Sequence, residues 1–296
     1  RDGPHPRKEP LFDRPLSLEN LREAFAGCAD YMERTVYLNG DRDRTATVCY
    51  LLGMTRNERL CDYVLRPLAQ DPALSRAPEG ELFARLQYGA LYNLAATRRD
   101  SLGDVVNDLI LGCCALFFPG RADALTLPVP TEEKRGVGEP DNEPALKGSR
   151  ESFVESIRTN TAMVRRHLKA PGLKIGEHTV GRQSRTLVDV LWLEGIADPD
   201  TVARVEGRLE EMDIDGLEAA GNLEEYLCHT ARSPFPLLPY TQRPDRLCQG
   251  LLEGRVAILA DGIPLGWLAP GTIDQFFKTG QDRAYHWMVA SALGLV

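Results

Sequence analysis

The spacing of apolar residues in the first half of the chain alternates between helical and extended patterns. Apolar residues recur at helical spacing from Leu18 to Cys28, after Ser17, a residue type that caps helix N-termini. Apolar and β-branched residues then run together, as in a strand at the centre of a sheet. The pattern predicts helices over residues 17–29, 56–69 and 101–112, strands over 36–38 and 45–52, and a hairpin turning at Pro119-Gly120.

The second half repeats this alternation. Asp198 and Pro199 are a helix start signal, with Asp at the cap and Pro at the first helical position. The dipeptide Asp261-Gly262 lies between two apolar runs, which is a hairpin signal. The pattern predicts helices over 151–168, from 199 onward, over 222–228 and over 244–252, and strands over 173–180, 186–193, 255–260 and 265–268.

The order of elements is the same in both halves: helix, strand, strand, helix and a late hairpin. Gly120 is as far from Gly262 as Pro128 is from Pro270, and we call this separation the repeat distance. Arg44-Thr45 precedes Arg185-Thr186 by one position less than the repeat distance. We therefore predict an α/β (mixed α+β) fold of two similar lobes, each a small mixed sheet flanked by helices, joined by a linker. Two such lobes would leave a cleft, where ligands often bind; a purely structural duplication is the alternative.

Composition along the chain suggests where the lobes begin and end. Residues 130–150 are polar, contain Pro and Gly and lack an apolar period, as linkers do. The last ten residues are apolar and uncharged, which suggests the start of a truncated membrane segment, with a C-terminal core helix as the alternative. The predicted divisions are a flexible lead-in at 1–16, a first lobe at 17–129, a linker at 130–150, a second lobe at 151–286 and the membrane segment at 287–296.

The overall composition excludes several classes of protein. The 296 residues are 43% hydrophobic and 26% charged, which is ordinary for a globular protein and argues against wholesale disorder. A net charge of −8 argues against a general nucleic-acid binder. The seven cysteines are odd in number and irregularly spaced, so a reduced, cytosolic setting is expected and neither a disulfide framework nor a zinc site is indicated.

No motif for catalysis, a cofactor or a metal emerges from the sequence. It contains no nucleophile elbow, no phosphate-binding glycine loop and no pair of metal-spaced histidines. His178, Ser184 and Asp189 could be imagined as a triad, but no elbow accompanies them. Asp213 and Asp215 could serve as an acid–base pair or bind a cation, although a turn explains them more simply. We therefore expect a protein that is not an enzyme and has no cofactor.

Two groups of residues are candidates for contacts with partners. The basic stretch from Arg165 to Arg185, which also contains His167 and Lys174, could face a neighbouring chain or an acidic membrane surface, or be an ordinary solvated face. Its candidate contact residues are Arg165, Arg166, Lys169, Arg182 and Arg185. The triplet Arg243-Pro244-Asp245 predicts a fixed ion-paired corner. That corner would either brace the fold or relay movement between lobes or subunits.

Several segments of the second half closely resemble a known family. They are KGSRESFVESIRTNTAMVRRHLKAPGLKIGEHTVGRQSRT, LWLEGIADPDTVARVEGRLEEMDIDG, SPFPLLPYTQRPDRLCQGLLEGRVAILADGIP and DQFF, within residues 147–285. In this order and spacing they resemble the A subunits of bacterial spore germination receptors, the GerA family. That family usually has Glu before the RPD triplet, whereas this chain has Gln242, so an essential acid at that position is not expected.

The resemblance implies a role that composition does not reveal. It implies the N-terminal region of an A subunit, on the cytosolic side of the spore inner membrane, attached to that membrane through the part of the protein that follows. Its expected partners are the receptor's B and C subunits and other A subunits, in a homo-oligomer that responds to nutrients and triggers ion release. Nucleic acid is not an expected partner. The alternative is a small-molecule module that binds a nutrient or an ion in the cleft between the lobes.

Overall fold

The computed structural model describes residues 13–91, 95–131, 151–217, 223, 226–227 and 238–270. The chain divides into two compact units, Arg1–Glu133 and Lys134–Val296. We call the described residues 13–131 the first lobe and those within 151–270 the second lobe. The predicted linker, the helix predicted over 222–228 (except 223, 226 and 227) and the predicted membrane segment lie outside the described residues. None of the helices in the described ranges is long and apolar enough to cross a membrane.

The first lobe is one five-stranded sheet with helices on both faces. Its helices are α1 (Leu18–Ala24), α2 (Asn57–Leu60), α3 (Arg66–Gln70), α4 (Pro72–Arg76), α5 (Glu79–Arg85) and α6 (Leu102–Ile110), with π-helical turns at Cys61–Leu65 and Leu86–Ala90. Its strands are β1 (Tyr31–Leu38), β2 (Asp41–Leu51), β3 (Thr97–Arg99), β4 (Cys113–Phe117) and β5 (Ala124–Pro128). The strand order is β1-β2-β4-β5-β3.

The second lobe has the same architecture. Its helices are α7 (Ile157–Leu168), α8 (Pro199–Glu210) and α9 (Pro244–Leu252). Its strands are β6 (Leu173–Val180), β7 (Thr186–Leu193), β8 (Tyr240–Thr241), β9 (Val256–Ala260) and β10 (Gly266–Ala269). The order β6-β7-β9-β10-β8 is that of the first sheet, so the prediction of two similar α/β lobes is confirmed.

Strand direction corrects one detail of that prediction. Every pair of neighbouring strands in both sheets is antiparallel, so the sheets are antiparallel rather than mixed. The short connection between β1 and β2 explains why these two strands are antiparallel. Asn39 and Gly40 both have positive φ, as a two-residue hairpin turn with the twist of the flanking strands requires.

The two sheets have the same register, displaced along the chain by the repeat distance. Tyr31 opposes Leu51 in the first sheet, and their equivalents Leu173 and Leu193 oppose each other in the second. The same displacement relates the residue pairs in all four pairs of strands. The exception is the residue pair Leu38–Asp41, beside the Asn39-Gly40 turn. The sequence match of the two Arg-Thr dipeptides was therefore out of register by one position, because the structural equivalent of Thr45 is Leu187.

Glycines with positive φ mark the same turns in both lobes. Gly112 follows α6 with φ +88°, and Gly254 follows α9 with φ +87°. A Cβ atom on Gly112 would lie 2.7 Å from the carbonyl oxygen of Met54, and one on Gly254 would lie 3.0 Å from that of Ile196. Met54 and Ile196 are themselves separated by the repeat distance, so the two helices end against equivalent loops.

Helix caps follow the sequence signals at Ser17 and Asp198. The Ser17 hydroxyl accepts a hydrogen bond from the Asn20 amide, and the Asp198 carboxylate accepts from two amides of the first turn of α8. The predicted start of α7 at residue 151 is wrong, since the helix begins at Ile157. The side-chain amide of the buried Asn160 accepts a hydrogen bond from the Val154 amide and donates one to the Val154 carbonyl oxygen. These two bonds keep the residues before Ile157 out of the helix.

Candidate interaction sites

The basic stretch is divided between two places in the second lobe. Arg165, Arg166 and Lys169 lie at the C-terminal end of α7, where cations interact favourably with the helix dipole. Arg182 and Arg185 lie in the loop between β6 and β7. Strand β6 separates the two groups, and its eight residues span about 23 Å. A single continuous basic surface, as the sequence suggested, is therefore not formed.

Arg165 does not contribute to a contact surface. Its residue is only 1% exposed, so the guanidinium belongs to the interior of the lobe. The helical period accounts for this, because Arg165 lies four residues after the buried Thr161, on the same face of α7. The expectation of a membrane or neighbour contact through Arg165 is wrong, and sequence alone could not separate this arginine from the more accessible Arg166 on the next face.

Lys169 ends α7 in an exposed, left-handed conformation. Its φ is +34°, and its amide donates to the carbonyl of Arg165. Gly27 occupies the equivalent position of the first lobe with φ +73°. The Lys169 side chain is exposed to solvent, and Arg166 is half-buried. These two residues are the members of the basic stretch through which α7 can present positive charge outward.

The β6–β7 loop is fixed by a short segment that follows α8. The amides of Gln183 and Ser184 both donate to the carbonyl oxygen of Asp215. The Arg182 guanidinium donates to Asp213 at 2.7 Å, between two side chains that are each about two-thirds exposed. Such an exposed ion pair contributes little to stability. Asp213 therefore pairs with an arginine, which favours the turn interpretation of the two aspartates over an acid–base pair.

The ion-paired corner predicted at Arg243 is present. The Arg243 Nε and Nη2 atoms donate to the two carboxylate oxygens of Asp245 at 3.0 and 2.6 Å. Arg243 is 7% exposed, and Pro244 begins α9 immediately after it. The amide of Arg243 donates to the Thr241 hydroxyl at 3.0 Å. The bidentate pair therefore fixes the chain where it passes from β8 into α9.

The electrostatics of the corner favour the charged form of Asp245. Burial would raise the pKa of this carboxyl, but the hydrogen bonds and the charge of Arg243, with smaller contributions from the Arg246 amide and His167, hold the pKa below its usual value. His167 lies in the last turn of α7, and its Nε2 is 2.8 Å from a carboxylate oxygen of Glu151. The structure thus brings the end of α7 to the start of α9, a meeting that no sequence spacing indicated.

The imagined triad is not assembled. His178 Nε2 faces Glu206 on α8 at 3.7 Å, the Ser184 hydroxyl donates to the Val180 carbonyl, and Asp189 accepts from the Thr161 hydroxyl at 2.7 Å. Neighbouring strand residues point to opposite faces of the sheet, and Asp189 pairs with Glu177 rather than with His178. In the described parts of the chain, no group of three or more His, Cys, Asp or Glu residues could hold a metal ion.

Comparison with known proteins decides the family. A family model described as Bacillus/Clostridium GerA spore germination protein matches residues 19–296. The chain belongs to the GerA family. Over 285 residues it is 30% identical to spore germination protein B1 of Bacillus subtilis (strain 168), covering 96% of this chain and 58% of that protein. Over 296 residues it is 28% identical to spore germination protein KA of the same organism, covering 98% of this chain and 53% of that protein.

A solved GerA structure has the same fold. It is the crystal structure of the N-terminal domain of the A subunit of the Bacillus megaterium spore germinant receptor GerK3. The match has a TM-score of 0.65 at 28% identity and covers 86% of this chain and 94% of that one. The chain spans about half the length of the curated GerA relatives it matches. These relatives support a role in spore germination.

The departure at Gln242 fits the GerA fold. The Gln242 carbonyl oxygen accepts from the Phe153 amide at 2.8 Å and from the Ser152 hydroxyl at 3.3 Å. The acceptor in both hydrogen bonds is the backbone carbonyl of residue 242, so these contacts do not need an acidic side chain at that position.

Proposed function

We propose that this chain is the N-terminal region of a germinant receptor A subunit that acts without catalysis, through assembly and conformational coupling. The observation that carries the proposal is the match over 94% of the GerK3 A-subunit N-terminal domain. In this proposal residues 17–129 and 151–286 are the two lobes and residues 130–150 the linker between them. The receptor responds to small nutrients, and the change it undergoes leads to ion release.

The proposed partners are the B and C subunits and further A subunits. The complex lies in the spore inner membrane, with this region on its cytosolic side. Arg166 and Lys169 support this proposal because they present positive charge at the end of α7, where a neighbouring acidic chain or an anionic membrane surface could bind. Arg182 and Arg185 form a second, separate candidate contact.

The Arg243–Asp245 pair is the proposed coupling element. It fixes the start of α9, and α9 packs against α7, β9 and β10. A change in the direction of α9 would therefore reach both the sheet and the end of α7. Coupling of this kind requires differential contacts in two states of the receptor.

The test uses the full-length protein in spores that lack their own copy of it. Arg166→Gln with Lys169→Asn removes two charges, and Asn is chosen because it tolerates a left-handed backbone. We expect at least a several-fold lower recovery of the B and C subunits with the tagged A subunit, and slower nutrient-triggered germination. The matched control is Arg34→Gln with Arg42→Gln, which removes two exposed charges from the first lobe.

Two results would count against the proposal. Unchanged subunit recovery and germination in the α7 variant would remove the contact role. Equal losses in the variant and in the control would show a general charge effect instead.

For the corner, Asp245→Asn should leave subunit recovery intact and slow germination, since it removes a coupling contact and not a docking surface.

A further inference from the structure

A pocket of about 280 Å³ lies in the second lobe between α8 and the sheet. Its floor is apolar, and one rim is formed by a single face of α8. Among the described residues, those that line it are Thr201, Arg204, Val205, Arg208, Leu227, Leu238, Ile258, Ala269 and Pro270. A largely apolar wall with a few polar groups at the mouth is the usual composition of a small-molecule site.

Comparison with the first lobe reveals one side chain that is smaller here. Ala269 on β10 occupies the position of Leu127 on β5, because the two strands have the same register at the repeat distance. Leu127 is fully buried in the core of the first lobe. Replacing a leucine by an alanine at this position withdraws three carbon atoms from the space beneath the helix. At this position the second lobe therefore has a smaller side chain facing the pocket than the first lobe has at the equivalent position.

The rim carries two positive charges that lie close together. Arg204 and Arg208 are four residues apart on α8, so their side chains are neighbours on one face, and like charges at this spacing repel each other. Arg204 is 4.0 Å from Asp198, the outer limit of an ion pair, and donates to the Thr201 hydroxyl at 3.0 Å. Arg208 donates to a neutral acceptor, the carbonyl oxygen of Leu227. An anion between the two guanidinium groups would relieve their repulsion.

We propose that this pocket binds a small monocarboxylate with an aliphatic body. The carboxylate would take charge-assisted hydrogen bonds from Arg204 and Arg208, whose planar guanidinium groups suit carboxylate geometry. The aliphatic body would lie against Val205, Ile258 and Ala269. The volume leaves room for about nine groups of the size of water or methylene, which matches a chain of six carbons better than a long lipid. The proposal is independent of the assembly role proposed above.

The test is calorimetric titration of the 296-residue chain with hexanoate. We expect saturable binding with a Kd of about 1 mM or tighter, as reachable for a ligand of this size. Hexylamine has the same body with the opposite charge and should bind at least ten-fold more weakly. Norleucine adds an α-ammonium group, which the arginines would repel, and should also bind at least ten-fold more weakly.

Variants test the two halves of the site separately. Arg204→Gln with Arg208→Gln changes groups at the mouth of the pocket and should weaken hexanoate binding at least ten-fold. Ala269→Leu restores the side chain of the first lobe and should abolish binding, with an unchanged circular dichroism spectrum as evidence of folding. The control Arg42→Gln with Arg76→Gln removes two arginines from the first lobe and should leave binding unchanged.

Several outcomes would overturn the proposal. They are the absence of saturable hexanoate binding, equal affinity for hexylamine or for norleucine, and hexanoate binding that survives the double arginine variant. Should Ala269→Leu fail to fold, the double arginine variant and the comparison of the three ligands still decide the question.

Discussion

The two lobes place their backbones in the same way and use different side chains at equivalent positions. In the first lobe the buried Asp108 of α6 receives two hydrogen bonds from Arg99 and one, at 2.6 Å, from the Thr126 hydroxyl. In the second lobe the equivalent position of α9 is Gly250, which packs against Leu268, the equivalent of Thr126. One lobe joins helix and sheet by a polar cluster and the other by close apolar contact.

The repeat therefore preserves the hydrogen-bonded backbone and the turns rather than the side-chain chemistry. The strand registers and the glycines after α6 and α9 recur at the repeat distance. The contents of the helix–sheet interfaces do not recur, because many different sets of side chains can fill the same space. The Arg243–Asp245 corner, whose positions are Ser101 and Gly103 in the first lobe, and the side chains of the pocket beneath α8 are therefore the features to test.

The largest expected effect on stability comes from placing an aspartate in the second lobe at the position equivalent to Asp108. Gly250→Asp would place a Cβ atom 2.6 Å from both methyl carbons of Leu268 and bury a carboxylate without the partners that Asp108 has. We expect a loss of about 4 kcal/mol or more in the free energy of unfolding. All three tryptophans follow residue 190, so tryptophan fluorescence during urea unfolding reports the C-terminal unit that contains this site.

The control for that variant is Gly207→Ala in α8. A Cβ atom on Gly207 would meet nothing within 4 Å, so the change should raise the free energy of unfolding by about 0.5–1 kcal/mol through helix propensity. An unfolding midpoint of Gly250→Asp equal to that of the unaltered protein would show that the two lobes accept the same chemistry at this interface.

The next effect concerns the polar cluster of the first lobe. Asp108→Ala leaves Arg99 without its bidentate partner and the Thr126 hydroxyl without this acceptor. The Arg99 side chain is about one-third exposed, so water compensates in part, and we expect a loss of about 2–3 kcal/mol. Circular dichroism should report the shift, whereas the tryptophan signal should not. The control is Asn107→Ala, an exposed position of the same helix.

A smaller effect should be shared by the two lobes. Gly112→Ala and Gly254→Ala each force a side chain into a left-handed backbone beside a carbonyl oxygen, and each should cost about 2 kcal/mol. Gly112 should be the more sensitive, because Pro130 also lies 3.0 Å from the added atom. Gly27 has a φ of +73° with open space around it, so Gly27→Ala should lower the free energy of unfolding by only about 1 kcal/mol. Equal effects at all three sites would mean that the close carbonyls do not matter.

The smallest effect is on the dependence of stability on pH. The pKa of Asp123 is lowered, chiefly by hydrogen bonds from Arg121, and that of Asp245 is lowered by Arg243 against the opposing effect of burial. A lowered folded-state pKa means that each carboxylate stabilises the fold above its unfolded pKa, near 3.8. That stabilisation is lost as the pH falls through the lower folded value.

Asp123→Asn and Asp245→Asn should each reduce the loss of stability between about pH 5 and pH 3, by about 1 kcal/mol after solvent screening. Acid titrations monitored by circular dichroism for the first variant and by tryptophan fluorescence for the second check this. Profiles that coincide with that of the unaltered protein would contradict the assigned role of the two arginines.

Much of the fold was predictable because its signals are local. The caps at Ser17 and Asp198 and the turn glycines Gly120 and Gly262 act within a few residues, so their meaning does not depend on the rest of the chain. The helix predicted from residue 151 was wrong because a requirement outside the helical pattern, the clamp of Val154 by Asn160, decides where α7 begins. Of the candidate site residues, the Arg243–Asp245 pair was predictable because its two members lie two positions apart.

Local patterns in the chain were enough to predict the two similar lobes, the positions of most turns and membership of the GerA family, since periodicity, glycines and motif order can be read along the sequence. Three features depended on the folded protein: Arg165 is buried, β6 separates the basic residues into two groups, and Ala269 lines a pocket together with two arginines. Burial and proximity depend on which faces of helices and strands pack together. That packing is fixed by contacts between residues far apart in sequence, which no local pattern records.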